Sequence, residues 1–169
     1  MIAARLHVAF AAAALVLGGC ATTRGDQAGA RDVIALSVRP CFGFCPVFET
    51  SVTPTGLVRF SGIRHTALLG ERSQDVGAAA YRSIAKELAA SRPQAGTDAI
   101  IECTAAVSDT SELVVTWTDS IGRKASAAVQ SGCPGGRGQA FARLLREIPA
   151  RLGVAEWAKQ TTRPGVSRG

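Results

Sequence analysis

The chain has little of what enzymes draw on. Of its 169 residues two are histidine and one is tyrosine, and of the histidines only His65 lies beyond the leader described below. One histidine would have to serve every acid, base and ligand role, and no Gly-x-Ser-x-Gly elbow accompanies the many serines. No Gly-x-Gly-x-x-Gly and no phosphate loop occurs, and strands do not alternate with helices as in parallel nucleotide-binding folds. Aromatics make up only 5 % of the chain. The arginines are spread singly, at Arg39, Arg59, Arg64, Arg72, Arg82 and Arg92. A nucleic-acid footprint would be a stripe or patch, so these read as a solvated surface and no nucleic-acid partner is expected. The carboxylates Asp98, Glu102, Asp109, Glu112 and Asp119 read in the same way, as the solvated rim of a hairpin. Nothing calls for a cofactor, and the reading is of a protein that is not an enzyme.

Long apolar runs are also missing, apart from one at the start. Val8 to Leu17 is unbroken and follows a short positive stretch ending at Arg5. The run is too short for a membrane-spanning helix, which needs about 20 apolar residues, and its order is that of a secretory signal over 1–19. Leu17-Gly18-Gly19-Cys20 resembles the lipobox of bacterial lipoproteins. That resemblance implies cleavage before Cys20, a diacylglycerol thioether on its sulfur and acylation of the new amino terminus. It also implies a periplasm-facing, lipid-anchored protein of the cell envelope. Ala21 and Thr22, with no Asp in the next position, favour the outer over the inner membrane. Removal of the leader takes the formal charge from +6 to +5, since only Arg5 is lost.

Setting Cys20 aside leaves Cys41, Cys45, Cys103 and Cys133. An even number of cysteines in an exported domain suggests disulfides, and four allow three pairings. We favour Cys41–Cys45 and Cys103–Cys133. In the chain-entropy picture the short ring contributes about 2 kcal/mol and the longer one about 3.5 to 4 kcal/mol.

Residues 20–31 are small and polar, a flexible tether. The domain is expected over 32–158, followed by a disordered tail over 159–169. Val33 to Val38 reads as a buried strand ended by Pro40. Val47 to Thr53 and Leu57 to Gly62 alternate as strands around Thr53-Pro54-Thr55-Gly56, a type I turn closing through a glycine bulge. Ile63 to Leu69 offers a third strand. From Asp75 to Ser91 the period becomes 3.6, with Val76, Ala80, Ile84 and Leu88 on one face. Leu113 to Thr118 and Arg123 to Gln130 form a second hairpin around Asp119-Ser120-Ile121-Gly122. A second helix starts near Gly138, with a kink expected at Pro149, and Trp157 packs after it. Hairpin, helix, hairpin, helix gives an α+β two-layer sandwich, an antiparallel sheet with two helices on one face.

Between the first two strands lies Cys41-Phe42-Gly43-Phe44-Cys45-Pro46. With Ile34, Leu36 and Arg39 before it and Gly56-Leu57-Val58-x-Phe60-x-Gly62 after it, this motif resembles a bacterial domain-of-unknown-function family, number 6438. Members are exported or lipid-anchored proteins with no assigned activity, so the resemblance bears on fold and location and not on chemistry. Ser108-Asp109 stands where that family has Thr-Asp. Three roles for the loop stay open. As a scaffold, the disulfide locks the chain reversal, Phe42 and Phe44 anchor the loop to the sheet, and Gly43 supplies a conformation other residues avoid. As a metal site, Cys-x-x-x-Cys-Pro is similar to the copper site of cytochrome-oxidase assembly chaperones, with Cys41, Cys45 and His65 as the Cu(I) ligands. As a redox pair, the cysteines would need a lowered pKa, and Arg39 is the available cation. The scaffold is preferred, in a domain that binds an envelope partner or ligand.

Overall fold

The computed structural model describes residues 31–105 and 108–161. Cys20, with the expected leader and all but the last residue of the tether, lies outside the described residues, as does 162–169. Seven strands form one sheet: β1 (Val33–Val38), β2 (Val47–Val52), β3 (Leu57–Arg64), β4 (Gly70–Asp75), β5 (Asp98–Ile100), β6 (Glu112–Thr118) and β7 (Lys124–Gln130). The helices are α1 (Gly77–Leu88), α2 (Gly136–Arg151) and the single turn α3 (Ala155–Ala158). The spatial order is β4-β3-β2-β1-β6-β7-β5. The opening strand β1 is thus central, flanked by the two hairpins the sequence implied.

Alternation sorts the side chains. Ile34 and Leu36 of β1, Val52 of β2, Val58 and Phe60 of β3, and Val115 and Trp117 of β6 are all at most 2 % exposed. They pack in one cluster with Tyr81, Ile84 and Leu88 of α1 and with Phe141, Leu145 and Ile148 of α2. Both helices therefore cover the same face, and the fold is the expected α+β sandwich. The other face carries Arg59, Ser51, Ala35, Thr116 and Ser126 in register across the sheet, all but the arginine small. No second helical layer covers it among the described residues.

Both hairpin turns follow the expected chemistry. Gly56 N–H donates to the Thr53 carbonyl (2.9 Å) and Gly122 N–H to the Asp119 carbonyl (3.0 Å). Asp119 Oδ1 also accepts from the backbone of Ile121 and Arg123, while its Oδ2 accepts from the Arg123 side chain at 2.8 Å. These donors, the Arg123 side chain foremost, hold the Asp119 carboxyl below its ordinary pKa.

Several expectations are corrected. The sheet is not wholly antiparallel: β5 pairs parallel with β7, because the chain crosses over from α1 before reaching the edge. The strand expected at 63–69 is split. β3 runs on to Arg64, and β4 starts at Gly70 after a loop whose His65 adopts a positive φ of 59°. The first helix is shorter, with Asp75 Oδ1 accepting from Gly77 N–H (2.7 Å) at its start and a 3-10 turn at Ala89–Ser91 at its end. α2 continues through Pro149 to Arg151. Proline near a helix end breaks little there, and the next turn is held by Leu152 N–H to the Ile148 carbonyl and Val154 N–H to the Pro149 carbonyl.

Arg92 is not a solvated surface residue. Its guanidinium lies 2.6 Å from the Asp32 carboxylate, whose side chain is 1 % exposed, and Tyr81 donates its hydroxyl hydrogen to the Asp32 carbonyl at 2.7 Å. This buried group pins the start of β1 beneath α1. Burial, then the nearby Asp32 charge, pushes the Tyr81 pKa up to about 12. Finally, backbone pairing extends past 158, the expected end of the domain. Ala67 N–H donates to the Lys159 carbonyl (2.8 Å) and Thr161 N–H to the His65 carbonyl (3.2 Å).

Candidate functional site: the cysteine loop and an adjoining cleft

The end of the sheet opposite Asp32 carries both disulfides. Cys41 and Cys45 are bonded with their Cα atoms 5.8 Å apart, and Cys103 and Cys133 with theirs 5.3 Å apart. The first ring spans the β1–β2 connection, where Gly43 takes φ +141°, a conformation side chains avoid. After Pro46 the chain enters β2 and not a helix. The second bond ties the segment after β5 to the one after β7 and sits against the first turn of α2. A Cβ at Gly138 would lie 2.3 Å from Cys133 Sγ, so the glycine there lets the helix approach the disulfide.

Phe42 and Phe44 do not anchor the loop as expected. Phe42 is 90 % exposed and Phe44 is 41 % exposed. The tight ring holds both away from the core, and Phe44 meets instead the edge of the His65 ring, centroids 5.4 Å apart. Ile63 and Leu69 nearby are also exposed. Bonded to each other, Cys41 and Cys45 present no thiolate pair to a metal. Among the described residues no group of three His, Cys, Asp or Glu side chains is placed to hold one.

Beside this loop a cleft of about 420 Å³ opens on the helical face. Its floor is the last core-facing row of the sheet, where Val38 of β1 lies between Phe48 and Leu113 in register, with Leu36 and Leu145 behind. Cys45 and Pro46 form one wall; Pro149, Ala150, Ala155 and Ala158 form the other. The wall residues from α2 and α3 that line this space are small: Pro149, Ala150, Ala155 and Ala158. Trp157 fixes α3 by packing edge-on against Phe60 (5.8 Å), which itself stacks on Phe48 (5.4 Å). Leu68 N–H donates to the Trp157 carbonyl at 3.1 Å and reinforces that position.

Among the described residues the polar groups of the cleft are the two serines Ser111 and Ser131 and the two cations Arg146 and Lys159, and no carboxylate lines it. Arg146 donates to the Ser131 carbonyl. Lys159 pairs with Glu156 at 3.4 Å, with both side chains largely exposed. Sequence reading singled out Cys45 and Pro46 but missed the rest of this site. Its trace in sequence is slight: Ala150, Ala155 and Ala158 are separate alanines after Pro149, in a stretch that periodicity alone reads as a helix end.

The family model described as Domain of unknown function (DUF6438) matches residues 32–150. The chain belongs to that family. No curated protein and no solved structure matches it. The DUF6438 match opens at Asp32, the buried ion-pair residue, and closes at Ala150 in α2. It therefore takes in both disulfides and most of the cleft floor, and leaves Ala155, Ala158 and Lys159 outside it.

Proposed function

We propose that this is a lipid-anchored protein of the bacterial cell envelope. Cys20 carries the lipid, the domain faces the periplasm, and the outer membrane is favoured over the inner. The domain works without catalysis, as a disulfide-stabilised binding module for an envelope ligand or partner. The observation that carries this reading is the oxidised state of all four domain cysteines in a chain whose leader ends in a lipobox-like Leu-Gly-Gly-Cys. Disulfides persist in oxidising compartments and are rare in the cytosol. The cleft supports binding over chemistry. It is concave, mostly apolar and supplied with a few polar groups, the usual make-up of a ligand site, yet it holds no acid–base pair.

Intact-mass and peptide analysis of the protein purified from the membranes of a bacterial host tests the reading. The expected product begins at Cys20, carries a diacylglyceryl and an acyl group there, and shows no free thiol at the other four cysteines after denaturation. A mature chain with an unmodified Cys20 would remove the anchor. Free thiols at Cys41 and Cys45 would remove the scaffold.

A further inference from the structure

We infer that the cleft beside Cys45–Pro46 binds a single-chain fatty carboxylate, with the chain on the Val38 floor and the carboxylate at Arg146. This deepens the binding reading above and rests on it. Charge decides the sign of the ligand. Two cations and, among the described residues, no carboxylate line the cleft; Lys159 is engaged by Glu156 at the rim, but Arg146 pairs with no carboxylate among the described residues, its one hydrogen bond going to a neutral carbonyl. A guanidinium has five N–H donors in a planar fork that matches a carboxylate, so Arg146 keeps donors for a ligand while resting on Ser131.

Apolar character decides the body of the ligand. Between the two walls the floor is Val38, Phe48 and Leu113, backed by Leu36 and Leu145, with no buried charge to be desolvated. Size bounds the length of the chain. At about 30 Å³ for each water-sized group, 420 Å³ accommodates on the order of fourteen such groups. That accommodates one chain of about a dozen carbons. The walls also make the cleft easy to close, because Ala150 is exposed on α2 and a leucine there would point into the space without displacing a core residue.

The test uses the full chain with Cys20→Ser, which removes the predicted lipid without touching the described domain, folded under oxidising conditions. Dodecanoate is titrated below its micelle concentration by calorimetry, with dodecylammonium and a short hydrophobic peptide ending in a free carboxylate as comparisons. Saturable one-to-one binding of dodecanoate is expected, at least about tenfold tighter than dodecylammonium. Arg146→Gln is expected to weaken it by about tenfold, the loss of one charge-assisted hydrogen bond. Ala150→Leu is expected to abolish it while leaving the unfolding midpoint at or above that of the parent. Equal binding of the two amphiphiles, no binding of dodecanoate, or binding of the peptide alone overturns the inference. So does unchanged affinity in Ala150→Leu with its fold intact. The mass analysis above reads the anchor and the disulfides independently, so a failure here with those results in place removes the ligand class and leaves the envelope module standing.

Discussion

At the end of the sheet where β1 begins, the chain closes itself with backbone turns at Thr53–Gly56 and Asp119–Gly122 and with the Asp32–Arg92–Tyr81 group. At the opposite end it relies on two covalent bonds, and there Phe42, Ile63 and Leu69 stand in water and the apolar cleft lies open. The first end is held by those turns and by a buried ion pair, and it exposes Ile121 at the tip of one turn. The second leaves apolar surface uncovered, and disulfides hold it in shape where packing does not. Large exposed apolar patches on monomers mark interaction sites. The comparison therefore separates an end closed by backbone turns and a buried ion pair from an end that leaves apolar surface exposed.

The contrast can be broken most severely at the longer disulfide. Cys103→Ser with Cys133→Ser opens a loop of sequence separation 30 and leaves a gap against Gly138. The expected loss is about 3.5 to 4 kcal/mol in chain entropy, read from the shift in urea midpoint.

At the turn end the corresponding weakness is alkaline. The Tyr81 pKa is raised, so the folded state holds the phenol proton more tightly than the unfolded state does. Its contribution is complete below the unfolded value near 10 and is lost as pH rises through about 12. That is roughly 2 to 3 kcal/mol. Urea titrations at pH 9 and pH 12 should show the drop in the parent and a much smaller one in Tyr81→Phe.

Opening the short ring with Cys41→Ser and Cys45→Ser should cost less, about 2 kcal/mol. It should also loosen Pro46, which the same titration and dodecanoate binding together would register. The smallest effect belongs to Phe42→Ala. At 90 % exposure the ring supports nothing in the fold, and the midpoint should move by no more than about 0.5 kcal/mol. A larger loss would return Phe42 to the anchoring role first expected of it.

Local rules carried well wherever a feature depends on neighbours in sequence. Proline second and glycine fourth made Thr53–Gly56 a hairpin turn, and the spacing of Ile84 and Leu88 made a helix face, because both answers reside in a few consecutive dihedrals. Preference for the disulfide pairing also held. The same rules failed where a residue's role depends on what the fold brings beside it. Arg92 looked like any surface arginine until β1 carried Asp32 under the end of α1. Phe42 looked like an anchor, yet the five-residue Cys41–Cys45 ring leaves it 90 % exposed. Pro149 promised a kink, but it falls within the last turn of α2, where few backbone bonds remain to be broken.

By itself, then, the order of residues determined the period of each segment, its turns and the cysteines able to pair, and so it determined an α+β sandwich with β1 as its first strand. Only the tertiary arrangement decided that α3 would dock through Trp157 on Phe60 and that small residues from α2 and α3 would line the same cleft as Val38. It also decided that Arg146 and Lys159 would meet at one opening. A cavity is the space between elements far apart in the chain, and no single stretch of sequence encodes its volume or the charges at its rim.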